Sequence, residues 1–226
     1  MGSRLRLMII TLGWILVAAT FTYPLWRNKP DIGEIEAEFT ELSAEQLREF
    51  FRLPAPIQAG FSVMHQQNPI MATDLLLARL NPPEPINDPM PPVGNAVVVR
   101  TGRLTPLQLA QDDTRELPPF SNLFGASGNI TIYRYPDNRM ILRIENLQAV
   151  HGPDLALRLV ENTSPLTPED IGNNYIELSP VPMPSNVGNL NFQIPASVNL
   201  NDYGSVVIYE RLYELIYAVA PLQRAG

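Results

Sequence analysis

The chain has no cysteine. Disulfides, thiolate nucleophiles, iron–sulfur ligation and covalent haem attachment are therefore excluded. The absence does not fix a compartment, because many envelope proteins do without disulfides. Histidine is nearly as scarce, with only His65 and His151 and no H-x-x-x-H spacing. Metal or haem ligation would need those two to converge, or to recruit Met64 or carboxylates. Seven methionines are scattered without an M-x-x-M cluster, and no G-x-S-x-G elbow is present. No nucleophile–base pairing stands out. The reading is of a non-enzyme with no catalytic residue, no metal site and no cofactor of its own.

Charge is sparse too, at 17% of residues, and no acidic residue precedes Asp31. From Arg27 onward the chain carries 14 basic against 23 acidic residues, a formal charge of −9. Such a surface repels phosphate backbones, so nucleic acid is not expected as a partner. What is abundant is apolar surface (45%) and proline (23 residues). The apolar share is enough for a core. The proline count fits many short strands joined by rigid turns rather than an all-helical fold.

Leu7 to Trp26 is an uncharged run of twenty residues. At about 1.5 Å per residue it matches the hydrocarbon thickness of a bilayer. Arg4 and Arg6 flank one end, Arg27 and Lys29 the other, and Tyr23 and Trp26 fall where aromatic rings favour the interface. Ala18 and Ala19 leave open a cleaved signal peptide. The run outlasts the roughly 7–15 residues of such a peptide's apolar region, however, which favours an uncleaved anchor over residues 1–30. With the N-terminus inside, the acidic remainder lies outside the cytoplasm.

Residues 31–80 read as an accessory segment with two short helices. Ser43 is placed to cap the first and Gln46 to complete a capping box, with Leu42 and Leu47 as a staple. Leu47, Phe50 and Phe51 share a face, and Pro54 ends the helix. The second covers Met71 to Leu80. Helices this short need something to pack on, either the following domain or a partner protein. Residues 81–96 form a proline-rich spacer, with six prolines between Asn81 and Pro92.

From residue 97 to 222 short apolar runs alternate with turn signals, which predicts an all-β fold, an antiparallel β-sandwich of about eight strands. Ala96–Arg100 opens it. Asn129–Tyr135 puts Ile130 and Ile132 on one face. Pro136–Arg139 is a turn, and Met140–Glu145 answers with Leu142 and Ile144 inward. Leu155, Leu157 and Leu159 alternate next, followed by strands near Tyr175–Leu178, Leu190–Ile194, Ser205–Tyr209 and Leu215–Ala220.

The segments Gly128–Tyr133, Ile141–Leu147, Gly152-Pro153-Asp154-Leu155, Val187–Pro195, Asn201–Tyr203, Ser205–Ile208 and Ala220–Leu222 together resemble the DM13 domain in order and spacing over about residues 97–222. The resemblance implies an extracytoplasmic β-sandwich module, often behind an export signal or anchor, with a suggested role in electron transfer. That suggestion leans on a cysteine following the aromatic residue that ends the Ser-Val-Val-Ile strand. Here those positions are Tyr209 and Glu210. The family's histidine ahead of the first Ser-Gly strand corresponds to Phe124. Both departures count against a thiol-based redox role.

Three residues remain as binding candidates: Asp154, His151 and Glu210. Asp154 follows Gly-Pro and is placed to bond turn N–H groups, or to hold a cation or partner. His151 is expected as an exposed or hydrogen-bonded turn residue. Glu210 is expected to be exposed, because a buried carboxylate is expensive and the neighbouring Arg211 should face the other way. Asp112, Asp113 and Glu116 read as a solvated acidic loop. The leading expectation is a membrane-tethered, non-catalytic binding or assembly module whose accessory helices meet a protein partner in an envelope complex. The alternatives are an electron-transfer component with a borrowed cofactor, and a small-ligand sandwich using Tyr133, Tyr135 and Tyr203.

Overall fold

The computed structural model describes residues 39–92, 94–109, 113–179 and 182–225. The expected anchor at residues 7–26 lies outside them. Among the described residues no helix is long and apolar enough to cross a membrane. The chain divides into two compact units, one ending at Gln67 and the other starting at Asn68.

In the first unit, α1 (Ala44–Arg52) starts as its sequence predicts. The Ser43 hydroxyl accepts the Gln46 N–H at 3.3 Å, and the Gln46 side-chain oxygen accepts the Ser43 N–H at 2.8 Å. A second helix, α2 (Ala55–Gln67), follows at once. It was not expected, so the described part of the segment, residues 39–80, holds three helices rather than two. Pro56 falls in its first turn, where the missing N–H would have had no helical partner. The Gln58 side-chain amide donates to Leu53 O (2.7 Å) and Phe51 O (3.2 Å), tying α2 back to the end of α1. Phe39, Phe50, Phe61 and Met64 are buried, with the Phe39 ring 5.5 Å from Phe50 and 4.7 Å from the His65 imidazole. His65 is thus an aromatic packing residue.

The second unit opens with α3 (Pro69–Leu80), capped by the Asn68 side chain on the Met71 N–H at 3.1 Å. Ten strands follow: β1 (Ile86–Asn87), β2 (Val97–Pro106), β3 (Ala126–Arg134), β4 (Met140–Ala149), β5 (Leu155–Val160), β6 (Tyr175–Glu177), β7 (Val187–Ile194), β8 (Ser205–Glu210), β9 (Leu215–Pro221) and β10 (Gln223–Arg224). A one-turn helix, α4 (Pro168–Ile171), lies between β5 and β6. The strand order is β1-β7-β4-β3-β2-β9-β8-β5-β6, with β10 also on β2.

The fold is therefore mostly β, as expected, but not an eight-stranded antiparallel sandwich. It is one curled, mixed sheet of ten strands. Two features cause the difference. Strand β2 is long enough to serve both faces: Val97–Leu104 pair with β3, while Thr105 and Pro106 pair with Val219 and Ala218 of β9. A bulge between Val98 and Arg100 bends it. The proline-rich segment, read as a stiff spacer, is extended as expected but is also pinned to the sheet edge. There β1 runs parallel to β7. The Asp88 carboxylate accepts the Asn191 N–H at 2.8 Å, and Arg143 donates to Pro89 O at 3.2 Å. Gly188, at φ +115°, makes this possible, since a Cβ there would meet Ile86 O at 2.0 Å.

The alternation read from the sequence holds. Ile130, Ile144 and Leu190 are in register, as are Ile132, Leu142 and Phe192, and all are buried. Across the fold, Leu157, Ile208 and Ala218 form one row, and Leu159, Val206 and Ala220 the next. Strands β5 and β8 are buried on both faces, because Val160, Val207, Tyr209, Ile216 and Val219 form a second cluster with Ile171 of α4. Each such side chain contributes about 1.5–3 kcal/mol of burial.

Candidate functional site

Strand alternation sends every second side chain of β8 inward: Val206, Ile208, then Glu210. Glu210 is fully buried. The expectation of an exposed carboxylate is overturned. Its desolvation is offset locally, because one carboxylate oxygen accepts the Asp154 N–H at 2.9 Å and the other the Leu212 N–H at 3.1 Å. Arg211 faces the other way, as expected. Its guanidinium meets the Asp154 carboxylate at 3.0 Å and Glu177 at 3.4 Å, and its N–H donates to Asp154 O at 3.1 Å. Asp154 thus bonds a side-chain cation, rather than turn N–H groups. Together Glu210 and Arg211 clasp the β4–β5 turn to the β8–β9 turn.

Beside Glu210 lies a residue the sequence reading missed. Tyr217 is 1% exposed, and its ring stacks on Phe124 with centroids 5.0 Å apart. Its hydroxyl has no hydrogen-bond partner among the described residues. The space between the two acids is kept by Gly152: a Cβ there would stand 2.5 Å from a Glu210 carboxylate oxygen and 2.8 Å from the Tyr217 hydroxyl. The adjacent His151 is half-buried, with an unpartnered buried Nδ1, so it is not the exposed or hydrogen-bonded histidine expected. Arg79 of α3 closes this end by donating to Leu123 O at 2.8 Å. Further out, Tyr213 donates to the Asp74 carboxylate at 2.5 Å.

The site is poised toward neutral forms. Burial raises Glu210, partly opposed by its two N–H donors. Burial raises Tyr217 far above the ordinary phenol range, with the nearby Glu210 charge adding to it. Burial also lowers His151. The chemistry available is a protonatable carboxyl facing an unpartnered phenol, sealed from solvent. The three sequence candidates do come together here, with His151 and Asp154 flanking the glycine and Glu210 bonding the Asp154 backbone. Among the described residues no group of three or more acidic or histidine side chains is arranged to hold a metal ion. Asp113 is drawn instead to Arg115 at 2.7 Å, which holds its carboxyl below the usual range; Asp112 lies outside the described residues. Tyr133 and Tyr135 are both buried at 8% exposure, which removes them from the loop surface that a small-ligand site would use.

A second polar knot sits on the outer face of β5. The Arg158 guanidinium lies between the Tyr175 and Tyr209 rings, 4.1 and 4.2 Å from their centroids, and meets Glu177 at 3.3 Å.

Together these features define a β-rich module with a buried polar residue at the inner end of β8, facing an aromatic pair. Residues 121–222 match the family model described as Electron transfer DM13. This part of the chain is a DM13 domain, one that lacks the family's usual cysteine. The match leaves out all of residues 97–120, β2 among them, so it is narrower than the resemblance implied. No curated protein and no solved structure matches the chain.

Proposed function

We propose that this chain is a membrane-anchored, extracytoplasmic and non-catalytic binding or assembly module, an accessory subunit of an envelope membrane complex. One observation carries the reading. At the position where the family places its thiol, Glu210 spends both carboxylate oxygens on backbone N–H groups and so works as a structural clasp. The uncharged run Leu7–Trp26 supports the tether, and the acidic remainder supports export. Ile70 (72% exposed) lies one turn before Asp74 on α3, and Leu212 (57% exposed) is next to Tyr213, Asp74's partner; these apolar side chains suit a protein contact. The test is to extract the full chain from its native membrane in mild detergent and weigh the particle. A stoichiometric companion, lost in the Ile70→Ser, Leu212→Ser double variant, is the expected result. A chain recovered alone refutes the reading.

A second reading, electron transfer, is favoured by the family description and by Tyr217. In it Tyr217 gives an electron to a high-potential metal centre of a partner, and its phenolic proton passes to the Glu210 carboxylate. Oxidation of the full chain by a high-potential metal complex should then give a tyrosyl radical signal in electron paramagnetic resonance. An identical signal in Tyr217→Phe sinks this reading.

A further inference from the structure

The bulge in β2 also arranges a group of cations that the DM13 core does not use. Arg100 of β2 stands directly opposite Arg224 of β10, and on its other side opposite Ile132 of β3. Arg134, two residues beyond Ile132, is on the same face of β3. Three guanidiniums therefore gather on one face, past the end of the apolar rows. They line a cleft of about 430 Å³ with Val98, Val99, Asn201 and Ala225. Like charges on directly opposed strand positions destabilise a sheet. Nothing in the described residues neutralises these. The ion pairs there engage Arg52, Arg115, Arg139, Arg143, Arg158 and Arg211, and none engages the cleft arginines. Asp137, three residues from Arg134, is paired with Arg139, and Asp202, next to Asn201, accepts the Asn199 side-chain amide; neither is a lining residue. Arg100 is half-buried and held in place, donating to Asn201 Oδ1 at 2.8 Å and to Val99 O at 3.1 Å. Burial, with the Arg224 and Arg134 charges, pushes its pKa down. In a chain this acidic, one anchored and two exposed guanidiniums with no ion-pair partner among the described residues make a site for an anion.

We propose that the Arg100–Arg134–Arg224 cleft binds a phosphate-bearing small anion, either free phosphate or the phosphodiester of an anionic lipid headgroup. Planar guanidiniums match the oxygens of a phosphoryl group in pairs. Their three positive charges exceed the one to about two negative charges that such a group carries, so a single anion relieves most of their mutual repulsion. The exposed Val97 (65%) and Val98 (36%) edge the cleft with apolar surface, which the lipid source would use.

The test uses the full chain in a neutral detergent, with inorganic phosphate and with monomeric dihexanoyl phosphatidylglycerol as separate probes. Binding is read by calorimetry and by the melting midpoint. Wild type should bind saturably and melt higher with ligand. Arg134→Gln and Arg224→Gln should each weaken binding about tenfold or more. Each should also raise the midpoint without ligand, since a like charge has been removed. Arg139→Gln, at the hairpin tip and already paired with Asp137, should change neither. Lipid binding at least tenfold tighter than phosphate assigns the headgroup, and equal affinities assign free phosphate; either supports the site. The proposal is overturned if neither probe binds, or if the Arg134→Gln, Arg224→Gln double variant keeps wild-type affinity.

Discussion

Replacing Glu210 by Gln separates the clasp from its charge. In the wild type, two carboxylate oxygens accept two buried N–H groups, from Asp154 at 2.9 Å and Leu212 at 3.1 Å. Glutamine offers one oxygen, and its NH2 turns a donor toward the second N–H. Leaving one buried N–H unsatisfied costs about 1–3 kcal/mol. The carboxyl's own contribution varies with pH. Its folded pKa is raised above the unfolded value, so folding favours the protonated form. Stability from this group is fully present below the unfolded value near 4.3 and is lost as pH rises through the raised folded value. Other carboxylates contribute alike to both proteins and cancel in the difference. Denaturant unfolding of the full chain in detergent, followed by circular dichroism at several pH values, should therefore show Glu210→Gln less stable at acid pH, with the gap narrowing as pH rises. A gap that widens with pH would mean that folding favours the ionised carboxylate, and the account of this site would be wrong.

Gly152→Ala should cost about 1–3 kcal/mol by overpacking against Glu210 and Tyr217. Adding Tyr217→Phe should recover part of that, so strictly additive losses in a double-mutant cycle would refute the collision. Tyr213 has its pKa raised by burial and by its bond to Asp74. Its share of stability should persist below about pH 10 and fall as the phenol ionises above it, and Tyr213→Phe should remove a late step from the alkaline absorbance titration. Arg158→Lys keeps the charge but loses the planar stack between Tyr175 and Tyr209; a loss of about 1–2 kcal/mol is expected by denaturant unfolding. Ser43→Ala should cost about 1 kcal/mol and speed amide exchange chiefly in the first turn of α1.

Local chemistry was legible wherever one residue type decides the geometry. The Ser43–Gln46 box, the Pro136–Arg139 turn and the inward Leu142 and Ile144 follow from side-chain reach, φ preference and period-two alternation. What was not legible depends on partners far away in the chain. Two residues of a proline-rich stretch become β1 only because Gly188 lets Ile86 come close. Strand β2 runs on to Pro106, beyond its apolar start, because β9 is there to pair with it. Helix α2 was hidden by Pro56, which breaks a helix in its interior but not in its first turn.

Glu210 and Tyr217 were misread or missed for opposite reasons, and the contrast explains the site. For Glu210 the signal is present in the alternation of Val206, Ile208 and Glu210, but the N–H donors that offset the cost of burying its carboxylate come from Asp154 and Leu212 and are not visible in that pattern. For Tyr217 the pattern itself misleads. Strict alternation groups Leu215, Tyr217 and Val219 on one face and Ile216, Ala218 and Ala220 on the other. Instead Ile216 and Val219 share the outer cluster. Between them the pairing shifts, so that Tyr209 faces Ile216 while Ile208 faces Ala218. Tyr217 is the extra residue of that bulge, and the register shift turns its ring inward onto Phe124. The bulge thus sets a phenol beside the Glu210 carboxylate, at the position where the resemblance implies a cysteine. The core of this domain therefore holds a polar pair.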